Sequence, residues 1–425
     1  MNSAPSFRNH LTLVLCTILH AFTHAYGTLL VPLYLLIVAD LKLGGIWKAS
    51  IIVTIYGFVY CLFSYPAGVM ADRFNRKALL GIGLLGNALA ITAIGLTRQY
   101  EMLIALGVLG GLFGTLFHPA ANALVPAHYP KSPGMAIGIL GMGSGLGFFV
   151  GPQYAGWRAQ SASWNFGAVA NWQKPCIEMG LAGIIGGIIF LLIAKEVRGG
   201  SQHSHETHPP LGRSLRRRVM ALAGILCMRD FAGVAVLSLA SIFLQKAHAY
   251  TVKQAGFVVG GMMLLSFFAN PIAVYLSPGK RRLPTLIVIL ITGGLIIATT
   301  TFWNVRFILP VLCAFQTLQL GSYAVSDAAI LERVHPSHRG RVVGLFLTIA
   351  GTFSALAPWA MGFWTDLLHD RATQPSAYAP IFAVLGAMML ISSLCTPLIN
   401  KLGQITGPAI DPLSEARPRT MEVVG

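Results

Sequence analysis

Residues 105–126 read ALGVLGGLFGTLFHPAANALVP. The run holds 22 residues and no Asp, Glu, Lys or Arg. As a helix rising about 1.5 Å per residue it reaches about 33 Å, enough to cross a hydrocarbon layer of roughly 30 Å. Two residues stand out in it: His118, which is ionisable, and Pro119, which has no backbone donor. The rest of the sequence decides which solvent surrounds them.

Similar runs recur along the chain. Of 425 residues, 55% are hydrophobic and only 10% charged, with a mean hydropathy of +0.68. Soluble domains carry about a quarter charged residues. No run has the ten-residue alternation of a membrane β-barrel, so the spanning elements must be helices, which satisfy their own backbone groups. The expected fold is an all-α polytopic membrane protein of about twelve transmembrane helices. The expected spans are 10–37, 48–71, 77–97, 102–126, 134–156, 175–195, 219–245, 254–276, 284–302, 307–331, 341–364 and 379–399. The stretch that opens at MNSAPSFRNH leads into apolar sequence too long for a signal-peptide core, and is read as the first span.

A net charge of +16 raises the question of nucleic acid, but the distribution argues for a membrane. Basic clusters fall in every second loop: RFNRK (73–77), RSLRRR (213–218), GKRR (279–282) and HRGR (338–341). Twenty of the 30 Lys and Arg residues sit on that side, nine on the other, and Arg229 lies within a span. This asymmetry places both termini in the cytoplasm of a plasma membrane, the inner membrane if the cell is bacterial. The partners expected are membrane lipids and a small-molecule substrate, with no nucleic acid, and the chain is read as a monomer. The six cysteines lack metal-ligand spacing and are read as small hydrophobes.

The hydrophilic stretch around 196–218 divides the chain into a six-helix bundle at 1–195 and a second at 219–425, ending in a short cytoplasmic tail. The two halves repeat each other. PKSPGMAIG (130–138) aligns with PSHRGRVVG (336–344), Pro152 with Pro358, Gly156 with Gly362, Pro66 with Pro271, and Arg76–Lys77 with Arg281–Arg282. The offset stays at about 205 residues throughout. Weak internal symmetry of this kind marks transporters built from repeats, with the substrate held near the midplane between them.

GVMADRFNRKAL (68–79) resembles the loop motif between the second and third spans of the major facilitator superfamily, with Gly68, Asp72, Arg73, Arg76 and Lys77 at the motif positions. Gly68 permits a close helix approach. Asp72 suits a helix N-terminus across the contact between halves. In the second half Ser277 replaces that aspartate. GLGFFVGPQYAG (145–156) is similar to the fifth-span motif of the family's antiporters, through Gly147, Gly151, Pro152 and Gly156. Within the superfamily the nearest resemblance is to the fosmidomycin-resistance group of drug exporters. Phe117–His118–Pro119 matches that group's fourth-span tripeptide. His20 matches the first residue of its first-span H-x-x-x-D pattern, where His24 stands in place of the aspartate.

The resemblance implies that spans one, four, seven and ten line a central cavity. The ionisable residues deep in those spans are His20, His24, His118, Arg229, Asp230 and Asp327, the expected substrate and proton pathway. A charge in a span costs roughly 2.5–3.5 kcal/mol on insertion scales, which makes such residues functional candidates. Arg229 and Asp230 adjoin in sequence and do not face each other on a helix, so Arg229 is expected to meet Asp327 or an anionic substrate. His20 and His24, one turn apart, could take a proton, a substrate or a metal. With no carboxylate or thiolate beside them a metal is least favoured, and no metal or cofactor is expected. Glu332 is read as a gate or loop contact, HSHETH (203–208) as solvated linker, and Trp157, Trp164 and Trp172 as an interfacial belt.

The function expected is alternating-access transport of a small organic solute, as proton-coupled export (antiport). The alternatives are uptake or facilitated diffusion of an organic anion held by Arg229, a transporter-like sensor, and a membrane-embedded transferase using His118 as base. No nucleophile accompanies that histidine, so the chain is not read as an enzyme.

Overall fold

Prolines set the shape of several spans. In the computed structural model, which describes residues 6–162, 169–196, 212–266, 268–335 and 338–403, a helix ends four or five residues before each of three prolines. The break at Thr115–Leu116 precedes Pro119, the end at Leu62 precedes Pro66, and the end at Ser354 precedes Pro358. A proline has no N–H for the carbonyl four residues back, and its ring crowds that carbonyl. The consequence is largest in the second span, where Ile46–Leu62 and Ser64–Arg73 meet at 47°.

Among the described residues eleven helices are long and apolar enough to cross a membrane, and this bent pair makes a twelfth. The first half comprises Phe7–Asp40, the bent pair, Arg76–Ile94, Tyr100–Ala127, Pro133–Gln160 and Gln173–Ile193. The second comprises Arg213–Ala247, Val252–Leu276, Gly279–Ala298, Val305–Leu331, Arg341–Asp366 and Pro375–Leu402. Every regular element among the described residues is helical, in agreement with the expected class. The seventh span starts earlier than the sequence suggested. The basic run at 213–218 forms its first turns, because long basic side chains carry their charge away from an apolar stem and let a helix continue past the hydrocarbon. The HSHETH segment and Trp164 lie outside the described residues.

The internal repeat is visible at single contacts. A Cβ on Gly156 would strike the backbone of Val252 and Lys253 in the eighth span, and a Cβ on Gly362 would strike the backbone of Trp47 in the second. The same offset that relates Gly156 to Gly362 relates Trp47 to Lys253. Each half therefore presses a glycine of its fifth helix on the start of the other half's second. Gly256 and Gly260 extend the first of these contacts, against the carbonyls of Pro152 and Phe149.

Among the described residues the buried apolar side chains form two clusters. One runs from the loop end of the first span (Leu29, Tyr34) and Ile52 through Val236, Phe243 and Phe382, joining the halves at the end distant from the termini. The other, with Leu13, Cys16, Leu80, Phe117, Leu124 and Phe190, belongs to the first half alone, at the terminus-bearing end. Hydrogen bonds between halves follow the first cluster. Ser241 donates to the Val31 carbonyl at 3.1 Å, Gln245 to that of Pro32 at 3.1 Å, and the Trp359 N–H to Thr54 Oγ1 at 2.9 Å. The halves are thus sewn together at the distal end.

Candidate functional site

Between the halves lies a cavity of about 320 Å³, walled by residues of both. Its volume falls at the lower end of the range for drug-sized ligands. Tyr56, Tyr60, Phe148 and Tyr323 supply aromatic surface, and Gln316, Gln319, Ser238 and Ser354 supply the polar groups. Among the described residues lining it there is no Asp, Glu, Lys or Arg, and His24 is its one imidazole.

His24 leads into a cluster. The first span places His20 and His24 one turn apart, and the break before Pro119 puts His118 in the first turn of the helix Phe117–Ala127. The Nε2 atoms of His20 and His24 lie 3.0 Å apart. The His118 ring centroid is 4.9 Å from that of His20 and 5.3 Å from that of His24. His20 stacks on Phe117 at 4.8 Å, and its Nδ1 meets the Leu140 carbonyl at 2.7 Å. A carbonyl only accepts, so Nδ1 carries the proton and Nε2 turns a lone pair toward the other two rings. The fifth span comes this close because Gly143, Gly147 and Gly151 lie against backbone atoms of Thr17, Ala21 and Ala25 in the first. The sequence reading named Gly147 and Gly151 but missed Gly143, the glycine nearest His20.

The second-half charges form a separate group, with a pairing that differs from the expected one. Arg229 Nε donates to Asp230 Oδ1 at 2.7 Å; sequence neighbours pair here because the long arginine side chain folds back on itself, which helix-face geometry does not forbid. Nη1 donates to Ser326 at 2.9 Å, and the guanidinium lies over the Tyr323 ring at 3.9 Å. Arg229 is fully buried and its Nη2 has no hydrogen-bond partner. Asp327 is exposed and forms no ion pair with it. None of Arg229, Asp230 and Asp327 lines the cavity; Tyr323 stands between the arginine and that space. His118 also stays behind the wall, and of the six pathway candidates His24 alone reaches it.

The loop motif is only partly engaged. Asn75 Oδ1 accepts the Ala78 N–H at 2.7 Å and Glu196 accepts that of Lys77 at 2.8 Å, which cap the third span. Arg76 donates to the Ala123 carbonyl at 3.4 Å. Arg73 and Asp72 are exposed, and Asp72 makes no hydrogen bond or ion pair among the described residues. A Cβ on Gly68 would meet nothing within 4 Å. The close approach expected at Gly68 and the helix-terminus contact expected of Asp72 are both absent from this arrangement, since the terminus-bearing ends of the halves are not packed together there. In the second half Arg282 donates to the Ser277 carbonyl and pairs with Glu332, the loop contact expected of that glutamate. Trp157 is exposed as a belt residue would be, whereas Trp172 is buried and donates to Asp40 at 3.0 Å.

A symmetric pair of helical halves enclosing a cavity, with the loop and fifth-span motifs in place, has a counterpart among known families. The model of the Major Facilitator Superfamily matches residues 13–321 and, in an overlapping match, 230–400. The chain belongs to the Major Facilitator Superfamily. Facilitators are transporters, not enzymes. The tetracenomycin C resistance and export protein of Streptomyces glaucescens is 28% identical over 296 residues, 67% of this chain and 52% of that one. The match thus spans about half the length of that relative. Multidrug resistance protein 1 of Bacillus subtilis is 21% identical over 373 residues, 86% of this chain and 91% of that one. A crystal structure of a bacterial homologue of the human lysosomal transporter Spinster, in its inward-facing and unoccupied conformation, superposes with a TM-score of 0.74 at 17% identity, covering 95% of this chain and 98% of that one. As a facilitator with about twelve spans the chain is an integral membrane protein.

Proposed function

We propose that this facilitator exports a small, largely apolar organic molecule from the cytoplasm in exchange for protons, in the manner of the drug-resistance exporters. The observation that carries the reading is the cavity between the halves, aromatic, sparsely polar and without a fixed charge in its lining. Such a lining favours a neutral or weakly basic lipophilic solute over an organic anion, which would be desolvated there with no cationic side chain against it. The names of the two relatives, a resistance and export protein and a multidrug resistance protein, point the same way. With both termini cytoplasmic, the end that is sewn shut faces outward and the arrangement is inward-open. Proton coupling is assigned to the second half. There Asp230 neutralises Arg229, and its protonation releases a buried cation and repacks the tenth span around Tyr323.

A second reading, passage of an organic anion, rests on the partnerless Nη2 of Arg229. The test for both is flux in proteoliposomes, with and without an imposed pH gradient, over a panel of lipophilic cations, neutral aromatics and carboxylates. Export reading predicts gradient-driven movement of the first two classes. Movement of carboxylates alone, or flux indifferent to the gradient, overturns it.

A further inference from the structure

Three imidazoles converge at the cavity edge, and the export reading uses none of them. The ligand nitrogens of His20, His24 and His118 all lie within 4.8 Å of one another. Two nitrogens bound to one zinc-like ion at about 2.1 Å are separated by about 3.4 Å in tetrahedral geometry and by at most about 4.2 Å. The 3.0 Å between His20 and His24 is close to the tetrahedral value. The upper separation in the trio, 4.8 Å, exceeds that limit, so closing all three nitrogens on one ion requires the half-buried His118 to rotate.

The cluster has features of a prepared ligand set. The Leu140 carbonyl fixes the His20 proton on Nδ1, the outer-shell contact that aims the opposite nitrogen of a metal-bound histidine. Phe117 holds the same ring flat by stacking. Beside His118, at 6.0 Å between ring centroids, the hydroxyl of Tyr60 is buried without a hydrogen-bond partner. His24 reaches the cavity wall, which supplies both an entry path and an unfilled side. A proton shared by His20 and His24 alone gives no role to the third ring or to the orphan hydroxyl.

We propose that His20, His24 and His118 form a three-imidazole site for a first-row divalent transition-metal ion of the zinc class, with its fourth position turned to the cavity. Three neutral nitrogen donors suit zinc, cobalt, nickel or copper and not magnesium or calcium, which take oxygen ligands. No carboxylate or thiolate joins the set, so the bound ion keeps its full positive charge. Its fourth position therefore suits a neutral solute that presents a chelating oxygen or nitrogen. The absence of a metal expected from sequence rested on the lack of a carboxylate or thiolate beside His20 and His24; the fold adds neither, but brings a third imidazole.

The site is tested on the full chain in detergent after chelator treatment, so its failure leaves the export reading untouched. The probe is Co²⁺, followed by its visible ligand-field bands, then displaced by Zn²⁺. The linker histidines are a competing source of binding, so the reference is a chain carrying His203→Ser, His205→Ser and His208→Ser. That reference is expected to bind one equivalent of Co²⁺ and to gain thermal stability with Zn²⁺. His118→Ala and His24→Ala in the same background are expected to weaken binding at least about 100-fold and to lose the Zn²⁺-induced rise. His118→Gln serves where the alanine variant fails to fold. No Co²⁺ bands in the reference chain, or binding unchanged by both substitutions, overturns the site, and the former outcome leaves a hydrogen-bonded imidazole cluster only.

Discussion

The carboxylate of Asp366, in the second half, accepts the backbone N–H of Trp47, in the first, at 3.0 Å. Trp47 lies in the first turn of the second span, whose own N-cap is Gly45 and brings no side-chain oxygen. One half thus caps a helix of the other, and the positive helix end strengthens the contact. Gly45 is needed for it, since a Cβ there would sit 2.8 Å from the carboxylate oxygen.

Loss of that cap loosens the distal seam. Asp366→Asn removes the charge and is expected to lower the closed state's stability by about 1 kcal/mol, about a fivefold shift in population. Gly45→Ala is expected to act in the same direction by displacing the carboxylate. Thiol labelling of a cysteine placed at Ser238, in the cavity wall, reads the shift from the distal side. Unchanged labelling in both variants removes the gating role of the pair.

The glycines of the fifth span divide by what lies against them. Gly147 faces the backbone of Ala21, which cannot move aside, whereas Gly141 on the same helix faces open space. Gly147→Ala is expected to cost about 1–3 kcal/mol by overpacking, with Gly141→Ala within about 1 kcal/mol of the parent. Thermal unfolding in detergent compares them. Equal midpoints refute the packing role of the stripe.

Arg229 and Asp230 are expected to couple strongly, and Asp327, which forms no ion pair with the arginine, only weakly. Asp230→Asn strands a buried cation and is expected to destabilise by about 3–5 kcal/mol. Adding Arg229→Gln restores much of that loss while leaving transport dead. Asp327→Asn, at an exposed position, changes stability by about 0.5 kcal/mol or less. A double-mutant cycle on thermal stability, run alongside flux, measures the coupling. Additive losses dissolve the pair.

Topology is checked at the linker. A cysteine introduced by Ser204→Cys is expected to resist impermeant thiol reagents in intact cells and to label after permeabilisation. Labelling in intact cells inverts the assignment of ends, and with it the direction of the open face.

Spans and repeat were legible because both are written in composition and period: apolar runs of bilayer length, and prolines and glycines at one offset. Gly156 and Gly362 were paired from sequence alone, and the structure gives them equivalent contacts. Side-chain reach was not legible. Arg229 turns back to its neighbour Asp230, a rotamer choice that no helical wheel contains. The gathering of His118 with His20 and His24 depends on how the first, fourth and fifth spans pack, which sequence spacing does not encode. Asp366 and Trp47 lie far apart in sequence and carry no motif. Asp72 stands at a motif position, but it is exposed and makes no hydrogen bond or ion pair among the described residues.

All three histidines belong to one half, and the buried cluster beneath them (Leu19, Phe117, Leu140) is shared with nothing in the other. In a rocking cycle every contact across the seam is made and broken, while distances inside a half are conserved. The imidazole trio would be an invariant of such a cycle. The cytoplasm and the exterior would take turns in equilibrium with the same unaltered ligand set, so a difference in occupancy between the two sides would report the composition of the solutions and not a change in the affinity of the protein.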